Sequence, residues 1–137
     1  LAGINAWPGM LTNPAWELSA FNDKSKERLE SLLKKWELDY GFVNDRVGMA
    51  TPRLLSMIIN EASFTVQEGT ASEVDIDQAM KLGVNYPGGP FTWLAKFGHA
   101  NVVGLLEKMQ AETGNPRYKI APYLKQQMRK KHAEAML

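Results

Sequence analysis

The hydrophobic and polar positions are most regular between Thr51 and Glu68, where they follow a helical repeat. Polar side chains in this stretch fall on one narrow stripe, and apolar side chains occupy almost all of the remaining surface; the stripe consists of Arg53, Ser56, Asn60, Ser63 and Gln67. Thr51 suits the N-cap, Pro52 the first helical position and Gly69 a left-handed C-cap. We therefore expect a central helix that buries about eight apolar side chains, worth roughly 1.5 to 3 kcal/mol each.

Glu61 interrupts the apolar part of this helix, because helical geometry places it between Leu54 and Met57. A carboxylate in apolar surroundings needs hydrogen-bond donors. We expect Glu61 to have a structural role, accepting hydrogen bonds from backbone N–H groups of the loop from Gly83 to Phe91. A catalytic carboxylate is the alternative interpretation.

The chain before the central helix predicts a strand, a helix and a second strand. Residues 15 to 20 are a short, mostly apolar fragment suited to a strand, and residues 38 to 43 alternate between apolar and polar positions. Between them, residues 24 to 36 carry apolar side chains at the i, i+3, i+4, i+7 spacing of an amphipathic helix: Leu29, Leu32, Leu33 and Trp36.

After Gly69, wherever apolar residues recur regularly, they do so with the period of an α-helix. We expect helices ending at Gly83, running from Pro90 to Phe97, and covering residues 101 to 113 and 123 to 135, with Thr70 and Glu73 as a capping box for the first. The predicted fold class is mainly α: a helical domain over residues 48 to 137, preceded over residues 1 to 47 by a strand–helix–strand segment.

Composition narrows the functional classes. The chain has 137 residues, 45% of them hydrophobic, and a net charge of +1, which gives no general reason to expect nucleic acid or membrane binding. It contains no cysteine and two histidines, so we expect no metal site. A cysteine-free chain fits a reducing, cytoplasmic compartment. The chain starts at Leu1 without an initiator Met, and we interpret it as a piece of a longer polypeptide.

Three motifs carry a resemblance to a known family: Asn60-Glu61-Ala62, the run from Asp75 to Gly83, and Tyr86-Pro87-Gly88-Gly89-Pro90-Phe91. In order and spacing they resemble the C-terminal helical domain of NAD-dependent 3-hydroxyacyl-CoA dehydrogenases. The family's Arg precedes its Glu by eight residues, as Arg53 precedes Glu61, and Pro52 then stands at the position of the family's substrate-site Asn. The resemblance implies substrate-binding roles for Pro52, Arg53, Tyr86 and Phe91, and structural roles for Gly83, Gly89 and Pro90.

The same resemblance extends weakly toward the start of the chain, and it implies that the strand–helix–strand segment over residues 1 to 47 is the remnant, an incomplete tail, of a dinucleotide-binding α/β domain. The family has a catalytic His followed twelve residues later by a Glu that orients it, and Glu17 follows Asn5 by twelve. Asn5 would therefore stand where the family has its general base, which an amide cannot replace. No glycine-rich phosphate turn is formed by Gly3, Gly9 and Gly41. We expect NAD to bind to the missing N-terminal NAD-binding region of the full-length protein, and no cofactor to bind to this chain alone.

The resemblance implies a fragment of an oxidoreductase of fatty acid oxidation, which converts 3-hydroxyacyl-CoA and NAD to 3-oxoacyl-CoA and NADH. In it this part would bind acyl-CoA and form a homodimer through the helices after Gly69 and the aromatic loop from Tyr86 to Trp93. One alternative is a non-catalytic family member that keeps acyl-CoA binding or assembly. The other is a helical interaction module whose basic tail, with Lys125, Arg129, Lys130 and Lys131, binds an acidic partner. Nucleic acid and membrane partners are not expected.

Overall fold

The computed structural model describes residues 1 to 136, and the structural statements below concern these residues. The chain forms two compact units, the first from Leu1 to Pro52 and the second beginning at Arg53. No helix among the described residues is both long enough and apolar enough to cross a bilayer.

The first unit is a three-stranded sheet with one helix. Strands β1 (Ala2–Ile4), β2 (Ala15–Ala20) and β3 (Asp39–Phe42) lie side by side in that order, and helix α1 (Asp23–Lys35) connects β2 to β3. β1 is antiparallel to β2, whereas β2 and β3 are parallel, as a helical crossover requires. The predicted strand–helix–strand order is confirmed. β1 was not predicted, because three residues are too few to show an alternating pattern.

The rest of the chain is helical. Helix α2 (Thr51–Gln67) is followed by α3 (Glu73–Gly83), α4 (Pro90–Phe97) and α5 (His99–Thr113), and a short 3-10 turn (Pro116–Tyr118) leads to α6 (Pro122–Glu134). The mainly α fold class is confirmed. The capping box is wrong, because α3 is capped by Ser72, whose hydroxyl accepts a hydrogen bond from the Asp75 N–H at 3.2 Å. Gly69 has the predicted left-handed backbone, with φ at 73°.

The core of the second unit is built around α5. Its most buried side chains come from α5, α4, α6 and α2: Val102, Val103, Leu106, Met109, Leu94, Phe97, Leu124 and Ile59. α3 contributes no fully buried residue. The apolar side chains of α4 thus reach the core, whereas those of α3 remain largely outside it.

The orientation of α2 differs from the sequence-based expectation. Ser56 and Ser63 of the polar stripe are fully buried and Asn60 is 3% exposed, whereas Leu54 of the apolar face is 63% exposed. The expectation that the apolar face as a whole is buried is therefore wrong. Ser56 keeps a buried hydroxyl without a hydrogen-bond partner in the described structure.

Three side chains on the polar stripe explain this orientation, and we call Arg53, Asn60 and Gln67 the polar seam of α2. Arg53 donates to the Tyr118 hydroxyl at 2.5 Å, and the Gln67 side chain accepts from the Tyr123 N–H at 3.0 Å. The Asn60 amide donates to the Lys119 carbonyl and accepts from the Ala121 N–H, both at 2.9 Å. Spaced by seven residues, or about two helical turns, the three seam residues bind the Tyr118 side chain and the backbone of Lys119, Ala121 and Tyr123, where the 3-10 turn leads into α6.

Candidate functional site

Asp77 on α3 holds the loop between α3 and α4. Its carboxylate accepts hydrogen bonds from the Phe91 N–H at 2.8 Å, the Thr92 N–H at 2.9 Å and the Thr92 hydroxyl at 2.7 Å. The predicted role of Glu61 as acceptor for this loop is wrong, because its side chain is exposed on α2 while Asp77 provides the acceptor. A signal for Asp77 was present in the sequence: Gly89, the N-cap of α4, has no side chain to offer, so another residue must cap that helix.

Gly88 and Gly89 of this loop lie so close to neighbouring side chains that there is no room for a Cβ atom. A Cβ on Gly89 would overlap the carboxylate carbon of Asp77, and one on Gly88 would lie 2.6 Å from the indole nitrogen of Trp93. Gly83 ends α3 as expected, but a Cβ there meets nothing, and the left-handed turn residue is Asn85, with φ at 55°. The structural role predicted for Gly89 thus has a direct steric cause, whereas none is seen at Gly83.

The predicted substrate-binding residues of this loop lie in different surroundings. Phe91 is buried in the core next to Pro90, the first residue of α4. Tyr86 is half-buried, with its ring centroid 5.4 Å from that of Trp93. Of the two, Tyr86 retains surface that a ligand can contact.

Asn5 and Glu17 are brought together by the antiparallel pairing of β1 and β2. The Asn5 backbone N–H donates to the Glu17 carbonyl at 3.0 Å, and the Asn5 side-chain amide donates to the Glu17 carboxylate at 3.3 Å. The Asn5 side-chain oxygen accepts the Trp7 N–H at 3.2 Å. Asn5 is only 6% exposed, so the pair is a defined, largely buried arrangement.

The Glu17 carboxylate also meets the first residues of α2. It accepts hydrogen bonds from the backbone N–H groups of Ala50 and Thr51, the latter at 3.0 Å to one oxygen and 3.2 Å to the other. A negative charge at a helix N-terminus satisfies N–H groups that have no partner within the helix and interacts favourably with the helix dipole. The cap of α2 is therefore supplied by Glu17, where we expected the side chain of Thr51.

Pro52 and Arg53 follow directly in the first turn of α2. Pro52 is buried and has no N–H to donate. The Arg53 guanidinium, besides its bond to the Tyr118 hydroxyl, lies 5.1 Å from the centre of the Tyr118 ring, and that of Arg117 lies 5.6 Å from it. Arg53 is thus held in one geometry by Tyr118, which sequence reasoning did not identify.

Three ionisable groups outside these arrangements have shifted pKa values. Burial lowers the pKa of His99, the charge of Lys131 lowers it further and that of Glu73 opposes both, so His99 is neutral at pH 7. Burial and a hydrogen bond to Glu73 raise the pKa of Tyr123, and a hydrogen bond from Lys131 lowers that of Glu134. Residues 1 to 136 contain no cluster of three His, Cys, Asp or Glu side chains suited to a metal.

Comparison with known proteins identifies close relatives. The chain is 48% identical over 84 residues to the 3-hydroxyadipyl-CoA dehydrogenase of Escherichia coli K12, which covers 61% of this chain and 18% of that protein. It is 36% identical over 83 residues to a probable 3-hydroxybutyryl-CoA dehydrogenase of Bacillus subtilis, covering 61% of this chain and 29% of the relative. The chain therefore spans less than a third of the length of either curated relative.

Solved structures show the same fold. A 3-hydroxybutyryl-CoA dehydrogenase from Escherichia coli K12 superposes with a TM-score of 0.78 at 36% identity, covering 89% of this chain and 26% of the other. The (S)-3-hydroxybutyryl-CoA dehydrogenase of Ralstonia eutropha gives 0.83 at 27% identity, covering 91% of this chain and 45% of that one.

The family assignment rests on residues 48 to 135, which match the model of the 3-hydroxyacyl-CoA dehydrogenase C-terminal domain. This range is more than half of the chain and holds all three motifs of the loop and helix region. The chain belongs to the 3-hydroxyacyl-CoA dehydrogenase family.

Proposed function

We propose that the chain is part of an NAD-dependent oxidoreductase that converts 3-hydroxyacyl-CoA to 3-oxoacyl-CoA, in which it contributes to acyl-CoA binding and to dimerisation. The match of residues 48 to 135 to the family's C-terminal domain carries this proposal. The relatives, named as dehydrogenases of 3-hydroxyadipyl-CoA and 3-hydroxybutyryl-CoA, support the substrate class. A cytoplasmic location is proposed with it, from the absence of cysteine.

The described residues do not fit NAD. In dinucleotide-binding folds the pyrophosphate lies against a glycine-rich turn at the N-terminus of the helix that follows a strand. Here β2 is joined to α1 by Phe21 and Asn22, without glycine. The Asn22 side chain already accepts the Ser25 N–H at 2.9 Å, and Asp23 adds a negative charge in the first turn. NAD binding is therefore assigned to a part of the full-length protein outside this chain.

The Asn5 and Glu17 pair is also unsuited to proton transfer. The Asn5 amide has no titratable proton near neutral pH, and the Glu17 carboxylate is already bonded to Asn5, Ala50 and Thr51. In the proposed function this chain binds and positions, and the group that removes the hydroxyl proton is supplied elsewhere. The same observation favours the alternative of a non-catalytic family member that keeps acyl-CoA binding or assembly.

We expect the isolated chain to bind 3-hydroxybutyryl-CoA but neither to bind NAD at micromolar concentration nor to produce NADH. The phosphate-binding turn is missing, and a missing general base typically costs about 10² to 10⁴-fold in rate. Titration calorimetry with each ligand measures binding, and the absorbance of NADH measures turnover. Turnover above the protein-free blank contradicts the division of roles, and absence of acyl-CoA binding contradicts the assigned function.

The surface proposed for dimerisation is the exposed apolar face of α3 and the residue after it. Val74 and Leu82, two helical turns apart, are 73% and 77% exposed, and Val84 is 54% exposed. A cluster of large apolar groups in water is typical of an interface. From the sequence we expected the aromatic loop from Tyr86 to Trp93 to contribute to the dimer contact. The large apolar residues Phe91, Leu94 and Phe97 do not support this expectation, because they are buried within the chain and do not form a surface patch.

Leu82→Asp is expected to convert a dimer of about twice 15.3 kDa to a monomer, because it places a charge in the apolar contact. Light scattering coupled to size-exclusion chromatography measures the mass. Gln110→Asp, which also places a carboxylate at an exposed helix position, on α5, is the control and should leave the dimer intact. A monomeric wild-type chain at micromolar concentration removes the dimer from the proposal.

A further inference from the structure

The charge of the chain is unevenly distributed. Residues 117 to 136 contain six Lys and Arg but only one acidic residue, Glu134, which gives this segment a net charge of +5. Residues 1 to 116 carry ten Lys and Arg against fourteen Asp and Glu, a net charge of −4. The segment that includes α6 therefore has a net positive charge, whereas the rest of the chain has a net negative charge.

Two open clefts lie along α6 and share one residue, Arg129. The first, with a volume of about 590 Å³, is lined by Met128 and by the nitrogen-bearing side chains His99, Arg129, Lys131 and His132. The second, of about 480 Å³, is lined by Ile120, Pro122, Lys119, Lys125 and Arg129. Each cleft thus combines apolar surface with cationic groups, and among the described residues no Asp or Glu lines either one.

The cations along the clefts are available to a partner. Arg129 and Lys119 are exposed, and neither forms an ion pair within residues 1 to 136. Lys125 meets Glu107 at 3.9 Å, and Lys131 meets Glu134 at 2.9 Å, in pairs whose side chains are 44% to 61% exposed. Exposed ion pairs of this kind contribute little to stability, so a partner's carboxylate can replace the Glu at small cost.

We propose that the α6 face is a docking surface for an acidic peptide segment of a protein partner, a role separate from the proposed dehydrogenase function. The thirteen residues of α6 span about 20 Å at 1.5 Å per residue. About six residues of extended peptide cover the same length. Carboxylates of such a segment pair with Arg129 and the flanking lysines, and its intervening apolar side chains contact Met128 and Ile120.

The chemistry of the clefts distinguishes a peptide from nucleic acid. Within the described part of the chain, neither cleft is lined by Trp, Tyr or Phe, the side chains on which the bases of single strands stack. Glu107 and Glu134 lie beside the lysines and repel a continuous row of phosphates, whereas a peptide that alternates acidic and apolar side chains avoids them. Charge complementarity with apolar contact therefore favours the acidic peptide.

Fluorescence anisotropy with a labelled hexapeptide of alternating glutamate and leucine tests the proposal on the full chain. We expect saturable binding that weakens as salt rises from about 0.1 M to about 0.5 M, since screening shortens the range of charge attraction. Arg129→Glu, at the residue shared by both clefts, should weaken binding about tenfold or more. Lys108→Glu is the matched control: the same charge change on an exposed α5 position that lines neither cleft.

Four binding results overturn the proposal. They are no saturable binding by the wild-type chain, equal loss in Lys108→Glu and Arg129→Glu, tighter binding of a single-stranded DNA of matched charge, and equal binding of a hexapeptide of alternating lysine and leucine. A far-UV circular dichroism spectrum of Arg129→Glu that matches wild type assigns its effect to the surface. Self-association of the chain that is lost in Arg129→Glu assigns this face to a second copy and also overturns the proposal.

Discussion

Asn60→Ala should lower the free energy of unfolding by about 2 to 5 kcal/mol. The substitution removes both hydrogen bonds of the Asn60 side chain, and it leaves the Ala121 N–H and the Lys119 carbonyl without their partners. Ala121 is fully buried and Asn60 is 3% exposed, so water does not readily replace the lost bonds. Each unsatisfied buried group costs about 1 to 3 kcal/mol. Urea denaturation followed by circular dichroism measures the change.

Gln67→Ala is the matched control for Asn60→Ala, since both residues belong to the polar seam. Gln67 accepts one hydrogen bond, from the Tyr123 N–H, in an exposed position where water can take over. Its loss should cost less than about 1 kcal/mol. If the two variants lose the same stability, the seam does not depend on burial and our account of the orientation of α2 is wrong.

Gly89→Ala should destabilise the second unit by about 2 to 4 kcal/mol. The added methyl group overlaps the Asp77 carboxylate, which must move away from the Phe91 and Thr92 N–H groups that it caps. The expected cost combines overpacking with the loss of a helix cap. Thermal and urea unfolding of the variant measure it.

Gly83→Ala is the control that tests whether the loss of stability is specific to Gly89 or follows from replacing any glycine of this region. A Cβ at Gly83 meets no atom within 4 Å, and the residue lies at the end of α3 with an ordinary helical backbone. We expect this variant to be neutral or more stable by up to about 1 kcal/mol, because alanine restricts the unfolded chain. An equal loss in both variants contradicts the steric explanation for Gly89.

The sequence pattern predicted elements better than it predicted which face of each element is buried. The order of strands and helices followed from local periodicity, turn residues and caps, which are properties of neighbouring residues. The buried face of α2 could not be predicted in this way, because Arg53 and Asn60 are held by Tyr118 and Lys119, some sixty residues away in the chain. A polar stripe predicts the solvent-exposed face of a helix only when no other part of the chain forms hydrogen bonds with its side chains.

In the candidate site too, local spacing was predictable from the sequence and contacts between distant segments were not. The twelve-residue spacing of Asn5 and Glu17 was visible in the sequence, and the strand pairing of β1 and β2 places them in contact. The bonds from Ala50 and Thr51 to Glu17 were not predictable from spacing, since they join positions more than thirty residues apart. Glu61 was assigned a role that Asp77 performs, because both carboxylates precede the loop and only the fold distinguishes them.

The polar seam of α2 has a consequence for the order of folding during synthesis. Its partners Tyr118, Lys119, Ala121 and Tyr123 lie 56 to 65 residues later in the chain. At about 5 to 20 residues per second, α2 leaves the ribosome roughly 3 to 13 s before these partners exist. During that interval the polar stripe of α2, which consists of Arg, Ser, Asn and Gln, has no partner segment to bind and is solvated by water. The stripe that later binds the partner segment is therefore hydrated while the rest of the domain is being synthesised, so this side of the nascent helix does not favour association with other chains.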